Sequence, residues 1–358
     1  MAYTTIDDPS AYFQTALYSG DSSSVTVTND GNSDLQPDWL WFKKRNTTGD
    51  HNTFDTSRGL TERLFPNLAS ASDSGSNGIS ALTDGFTSGT FYGDVNGAGN
   101  TFVTWQWKCN GGTETHSQSE SGSNIACSVQ ANTTAGFSIV TYTGTGTAGH
   151  TFLHGLGSAP HLIIIKCRSV GHHWRVYHHK NTSAPQTDAL SLNQTDATND
   201  QDYWWDDTAP NSTEIALGNG DSGLNDDGAT NVAYCWKEVQ GYSKFGSYTG
   251  NGNADGPFVY LGFKPSFLVI KNTSDGNDQW IMWDNKRSVF NPADDYLEPS
   301  TQAAESADSN WAIVDFVSNG FKLKSNDISY NQDTYSYIYM AFAEHPFVSS
   351  EGIPVTAR

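Results

Sequence analysis

Basic residues, cysteine and long apolar runs are all scarce in this chain, and each scarcity closes off a class of function. Only 19 Lys and Arg stand against 39 Asp and Glu, so the 358 residues carry a formal charge of −20. A surface that acidic repels phosphate backbones, and no nucleic-acid partner is expected. No uninterrupted apolar run approaches the roughly 20 residues of a membrane helix, so membrane insertion is not expected either. The opening Met1-Ala-Tyr-Thr-Thr-Ile-Asp-Asp-Pro lacks the basic and apolar parts of a secretion leader. The four cysteines (Cys109, Cys127, Cys167, Cys235) show no CxxC spacing. Cys167 and Cys235 sit in strand-like runs and read as buried thiols, whereas the spacing leaves open whether Cys109 and Cys127 pair. Few stretches keep an apolar period near 3.6, so helix is a minor component.

What the chain does have is glycine, 34 residues, and aromatics: 11 Trp, 16 Tyr and 18 Phe. It also has one stretch three times over: Pro37-Asp-Trp-Leu-Trp-Phe-Lys43, Pro160-His-Leu-Ile-Ile-Ile-Lys166 and Pro265-Ser-Phe-Leu-Val-Ile-Lys271. Each is a bulky apolar run opened by proline and closed by lysine, the pattern of a buried strand whose first residue needs no ladder donor. Around it other features recur. A strand ending in Tyr18-Ser-Gly20, Tyr142-Thr-Gly144 or Tyr248-Thr-Gly250 comes before it. An aromatic strand follows, with Phe54-Asp55, Tyr177-His178 or Trp283-Asp284, and Trp174 and Trp280 lie three residues ahead in the second and third copies. A period-2 strand closes each copy: Val103-Thr-Trp105-Gln-Trp107, Val232-Ala-Tyr234-Cys-Trp236 and Ile338-Tyr-Met340-Ala-Phe342. That alternation predicts half-buried strands.

The fold expected is therefore all-β, three tandem diverged sandwich-like units of about 100 residues each. The boundaries read as unit 1 over 1–110 with an N-terminal segment, a Ser/Thr/Asn/Gly-rich linker over 111–136, unit 2 over 137–241, unit 3 over 242–348 and a tail over 349–358.

Several motifs invite chemistry and most have a plainer reading. Gly144-Thr-Gly146-Thr-Ala-Gly149 matches the dinucleotide fingerprint, but that motif must open a helix, and Gly250-Asn-Gly252 recurs at the same place as a turn. Gly220-Asp-Ser222-Gly223 resembles a protease serine motif yet reads as a hairpin turn. The cluster His172-His173-Trp-Arg-Val-Tyr-His178-His179 offers imidazoles without the convergent third ligand that zinc needs. Asn225-Asp-Asp-Gly228 lacks the closing glutamate of a calcium loop. Trp204-Trp205-Asp206-Asp207 and Asp294-Asp295-Tyr296 pair acids with aromatics, as sugar-binding and sugar-cleaving sites do. Adjacent aspartates on a strand point to opposite faces, so glycan contact is favoured over hydrolysis. The contact candidates are Trp204, Trp205, His172, His178, Trp283 and Tyr296. No catalytic residue, metal or cofactor is expected.

The opening Met1 to Phe13, the Tyr-Thr-Gly turns, the Pro-to-Lys strands, Asn319-Gly-Phe-Lys and Ile338-Tyr-Met-Ala-Phe-Ala-Glu-His-Pro-Phe347 together resemble a family of tailed-phage proteins. These are common in marine and cyanobacterial phages and carry tail-fibre or virion-structural labels. The resemblance spans essentially the whole chain and supplies no catalytic residue. It implies a non-enzymatic exterior component of the virion, made in the host cytoplasm. The role implied is a tail-fibre or spike module that binds host-surface glycan, with capsid decoration as the alternative and polysaccharide cleavage as a more distant one. The partners expected are other virion proteins and a homo-oligomeric copy of the chain.

Overall fold

The structure is a computed structural model that describes residues 2–354, apart from 76–77, 91–92, 110–111, 119, 121–122, 202, 220–222 and 308–310. Strands dominate it, and its two α-helices (Gly93–Asn96 and Ile328–Asn331) are four residues long. None is long or apolar enough to cross a membrane among the described residues.

The first lobe contains β1 (Phe13–Ser19), β2 (Trp39–Lys44), β3 (Asn52–Asp55) and β4 (Thr101–Trp107). The second contains β5 (Cys127–Asn132), β6 (Phe137–Thr143), β7 (Leu162–Cys167), β8 (Arg175–His178) and β9 (Thr230–Trp236). The third contains β10 (Ser243–Thr249), β11 (Phe263–Asn272), β12 (Ile281–Asp284) and β13 (Ser336–Pro346). The hydrogen-bonded order is β1-β4-β2-β3, then β6-β9-β7-β8, then β10-β13-β11-β12, antiparallel throughout. The registers correspond too: Trp39 faces Trp107, Leu162 faces Trp236 and Phe267 faces Phe342. A smaller sheet covers one face of each: Val25–Val27 with Phe86–Ser88 and Ile79–Ala81, His150–Leu153 with Glu214–Leu217, and Phe258–Tyr260 with Gly320–Leu323 and Val314–Val317.

Each Pro-to-Lys strand is buried on both sides because its alternate residues feed two cores. In β7, Ile163 and Ile165 enter the core of their own sandwich, while Leu162 and Ile164 enter another shared by all three lobes. β11 divides likewise, with Leu268 and Ile270 inward and Phe267 and Val269 toward the shared core. The closing strands depart from the half-buried expectation for the same reason. Trp105, Trp107, Tyr234, Trp236, Met340 and Phe342 point away from their own sandwiches into the shared core. There Trp39 stacks on Tyr234 at 4.6 Å, and Phe13 on Phe342 at 5.2 Å, both between lobes. A face that a lone sandwich would leave wet carries here the largest apolar cluster among the described residues, and its burial binds the lobes together.

The 111–136 stretch, expected to be a linker, supplies β5. It pairs with β6 over Cys127–Asn132, and Glu114–His116 adds outside it. Cys127 and Val129 enter the second lobe's core, which fixes the strand there. Cys109 and Cys127 form no disulfide; their Sγ–H groups donate to Gln130 O and Leu153 O respectively. The glycine fingerprint leads into a strand, His150–Leu153, with Gly146 and Gly149 at φ 67° and 76°. The protease-like Ser222 lies outside the described residues.

Candidate functional site

The three junctions between lobes gather most of the buried ionisable groups and are the first candidates for a site. Take first the residue closing each aromatic strand. Asp55 in β3 and Asp284 in β12 each bind an arginine three residues on, Arg58 or Arg287, and all four side chains are fully buried. Each aspartate also accepts a bond from the closing strand of another lobe: Tyr234 Oη to Asp55 Oδ2 at 2.6 Å, and Trp105 Nε1 to Asp284 Oδ2 at 3.0 Å. At the equivalent place in β8 stands His178, which lines a small cavity together with Met340, a residue with nothing to donate. Its Nε2 donates instead to the main-chain oxygen of Tyr339 at 3.1 Å, and its Nδ1 accepts from the Lys180 amide. Both ring nitrogens are used by the neutral imidazole, and burial pushes His178 down to about 3.

The lysine that ends each Pro-to-Lys strand is the second brace. Lys43 Nζ donates to Gln302 O of the third lobe, Lys166 Nζ to Ala69 O of the first, and Lys271 Nζ to Thr195 O of the second. Burial lowers each ammonium to about 8. A ring donor repeats the pattern three residues ahead of Phe54, Tyr177 and Trp283. Trp174 Nε1 donates to Phe65 O and Trp280 Nε1 to Ser191 O. In the first lobe the position is His51, whose Nε2 lies 3.1 Å from Glu298 O while its Nδ1 accepts from Trp41. The lobes thus hold one another in a closed ring: first to third, third to second, second to first.

The residues picked from sequence fall mostly inside this frame. Trp204 and Trp205 are buried in the second lobe's core, with Trp205 Nε1 on Asp188 O. Trp283 is buried in the third lobe's core with Nε1 on Ala312 O. These three, and His178, have no surface to offer a glycan. The three indoles fill sandwich interiors, which sequence neighbours such as Asp206 and Asp207 disguise, and His178 is enclosed at a junction between lobes. His172 remains half-exposed, paired with Asp226 at 2.7 Å. Tyr296 is half-buried with its ring 4.7 Å from Trp311. The six are not brought together. Three further histidines are bound to protein groups as well: His154 to Asn211 O, His173 to Asn193 and His179 to Phe245 O. No group of three potential metal ligands occurs among the described residues.

The exposed aromatics lie elsewhere. Phe258 and Tyr260 alternate on the outer edge of the third lobe's small sheet, each about half exposed, and Lys244 Nζ sits 5.4 Å above the Tyr260 ring. Tyr3 Oη meets Tyr260 Oη at 3.1 Å. Phe290 is 80% exposed on a loop beside Val289. The alternation Phe258-Val-Tyr260 was a readable signal for the first pair, since Val259 fills the core and its neighbours must point out.

No curated protein and no solved structure matches this chain. A family model does match over residues 8–346, which takes in every strand of the three sheets and all three junctions, and the chain belongs to that family, described as a domain of unknown function (DUF7483).

Proposed function

We propose that the chain is a non-catalytic structural protein on the exterior of a tailed-phage particle, of tail-fibre or spike type, that contacts host-surface glycan. The observation that carries this reading is the use made of its reactive groups. The buried lysines, Asp–Arg pairs and imidazoles bond one lobe to another, giving a rigid three-lobed body. A particle component needs such rigidity and no turnover. The glycan-facing role passes to Phe258 and Tyr260, whose exposed rings can lie against sugar faces. Immunogold labelling of intact virions tests the placement: tail labelling is expected, head labelling favours capsid decoration instead, and unlabelled particles overturn both. Adsorption to host cells tests the contact, with Phe258→Ser plus Tyr260→Ser expected to reduce it while the melting temperature holds.

A further inference from the structure

The three lobes present the same sheet edge at β1, β6 and β10, and only two of those edges are filled. In β1 the end bonds Gly20 N→Asn100 O and Lys108 N→Tyr12 O set the alternation with β4. Phe13, Thr15, Leu17 and Ser19 are then the non-hydrogen-bonded positions, with N–H and C=O turned outward. At the equivalent of Thr15 in the second lobe, Ile139 pairs with Gln130 of the added strand β5. At the equivalent in the third, Phe245 N donates to Glu238 Oε1 and Phe245 O accepts from His179 Nε2. At Thr15 itself nothing among the described residues answers. Its hydroxyl also has no partner, although the residue is only 4% exposed.

Beside Thr15 lies a cavity of about 220 Å³, and its walls identify it. The Gln130 side chain of β5 reaches across to the first lobe, where Nε2 donates to Asp38 Oδ1 and Oε1 accepts from Thr56 and Ser57. The positions matching Asp38, Thr56 and Ser57 in the third lobe are Ser266, Asn285 and Lys286, and all three line the cavity. At the remaining junction the matching residues, His161 and His179, close the space with their own rings, 4.4 Å apart. The cavity is thus the socket of a strand-borne side chain, without the strand.

We propose that the β1 edge takes up an extended segment of a partner protein by strand addition, with a neutral amide side chain such as glutamine seated in the cavity. Leu17, 39% exposed, continues the open edge beyond it. The charges at the rim are already matched, Asp30 to Lys286 and Glu344 to Lys264, which favours an uncharged segment. The inference holds wherever the protein acts and does not rest on glycan binding.

The chain's own strand supplies the probe: a synthetic peptide of residues 126–133 with Cys127→Ser, titrated into isotope-labelled full-length protein. Saturable amide shifts at Thr15, Leu17 and Ser19 are expected. A Gln130→Ala peptide should bind roughly tenfold more weakly, the cost of one lost side-chain amide. Leu17→Pro in the protein should abolish the shifts without lowering the melting temperature, because that N–H has no ladder partner. Should Leu17→Pro fail to fold, the two peptides still decide. Equal affinity for both, or shifts confined to other surfaces, overturns the proposal. So does a response of Thr15 to a neutral monosaccharide, N-acetylglucosamine, with none to the peptide.

Discussion

Two of the three junctions hold a buried aspartate–arginine pair, and the third holds a histidine. The difference follows from one residue on the opposing strand. Asp55 and Asp284 lie opposite Tyr234 and Trp105, which bring a polar hydrogen into the shared core. A buried carboxylate stays charged at tolerable cost only when its oxygens are all served, here by an arginine, a main-chain amide and that ring donor. His178 shares a small apolar cavity with Met340, the residue matching Tyr234 and Trp105, and Asn181 replaces the arginine. A carboxylate there would lack both partners. A neutral imidazole can instead reach a main-chain carbonyl, a group every residue provides. The brace is a property of the facing pair of positions, not of either alone.

The comparison breaks most severely where one partner of a buried pair is removed. Asp55→Ala leaves the buried Arg58 without a carboxylate partner and should cost about 3–5 kcal/mol in urea denaturation. Next comes an attempt to turn the third junction into the others. His178→Asp alone should destabilise strongly, and adding Asn181→Arg with Met340→Tyr should recover about 2 kcal/mol of the loss. If the triple variant is no better than the single one, the pairing logic fails. A milder test deletes only the ring donor: Trp105→Phe should cost about 1.5–3 kcal/mol, a hydrogen bond to a charged group. Met340→Leu, with nothing polar to lose, should stay below about 1.5 kcal/mol.

The histidine side of the comparison is read from a slope with pH. Burial depresses His178 to about 3 and His154 to about 4, below the unfolded value near 6.5. The unfolded chain therefore binds more protons than the folded one below pH 6.5. Stability present above that value is lost as pH falls from 6.5 toward 4. Thermal melts across that range should show the decline, and His178→Gln should flatten part of it.

Much of the sheet architecture was legible beforehand. The Pro-to-Lys runs and the period-2 closing strands appear where the alternation put them, because strand periodicity is a local property. The lysine offset was legible too, but its use was not, since Ala69, Thr195 and Gln302 lie far off in sequence and contribute only main-chain oxygens. A carbonyl has no sequence signature. His51 escaped notice for a related reason: it shares a position with Trp174 and Trp280 but resembles them only in carrying a ring N–H. The glycan candidates went astray because exposure of a tryptophan depends on what packs over it, and Trp204, Trp205 and Trp283 are covered by their own sandwiches.

By itself the sequence determined that this chain is all-β, where its principal strands run and which residues of each strand share a face. Only the tertiary structure decided what the second face meets, and so converted three half-wet sheets into one buried aromatic centre. The physical reason is range. Alternation and turn chemistry act over a few residues, whereas the shared core, the lysine braces and the unfilled β1 edge exist only once lobes a hundred residues apart come together.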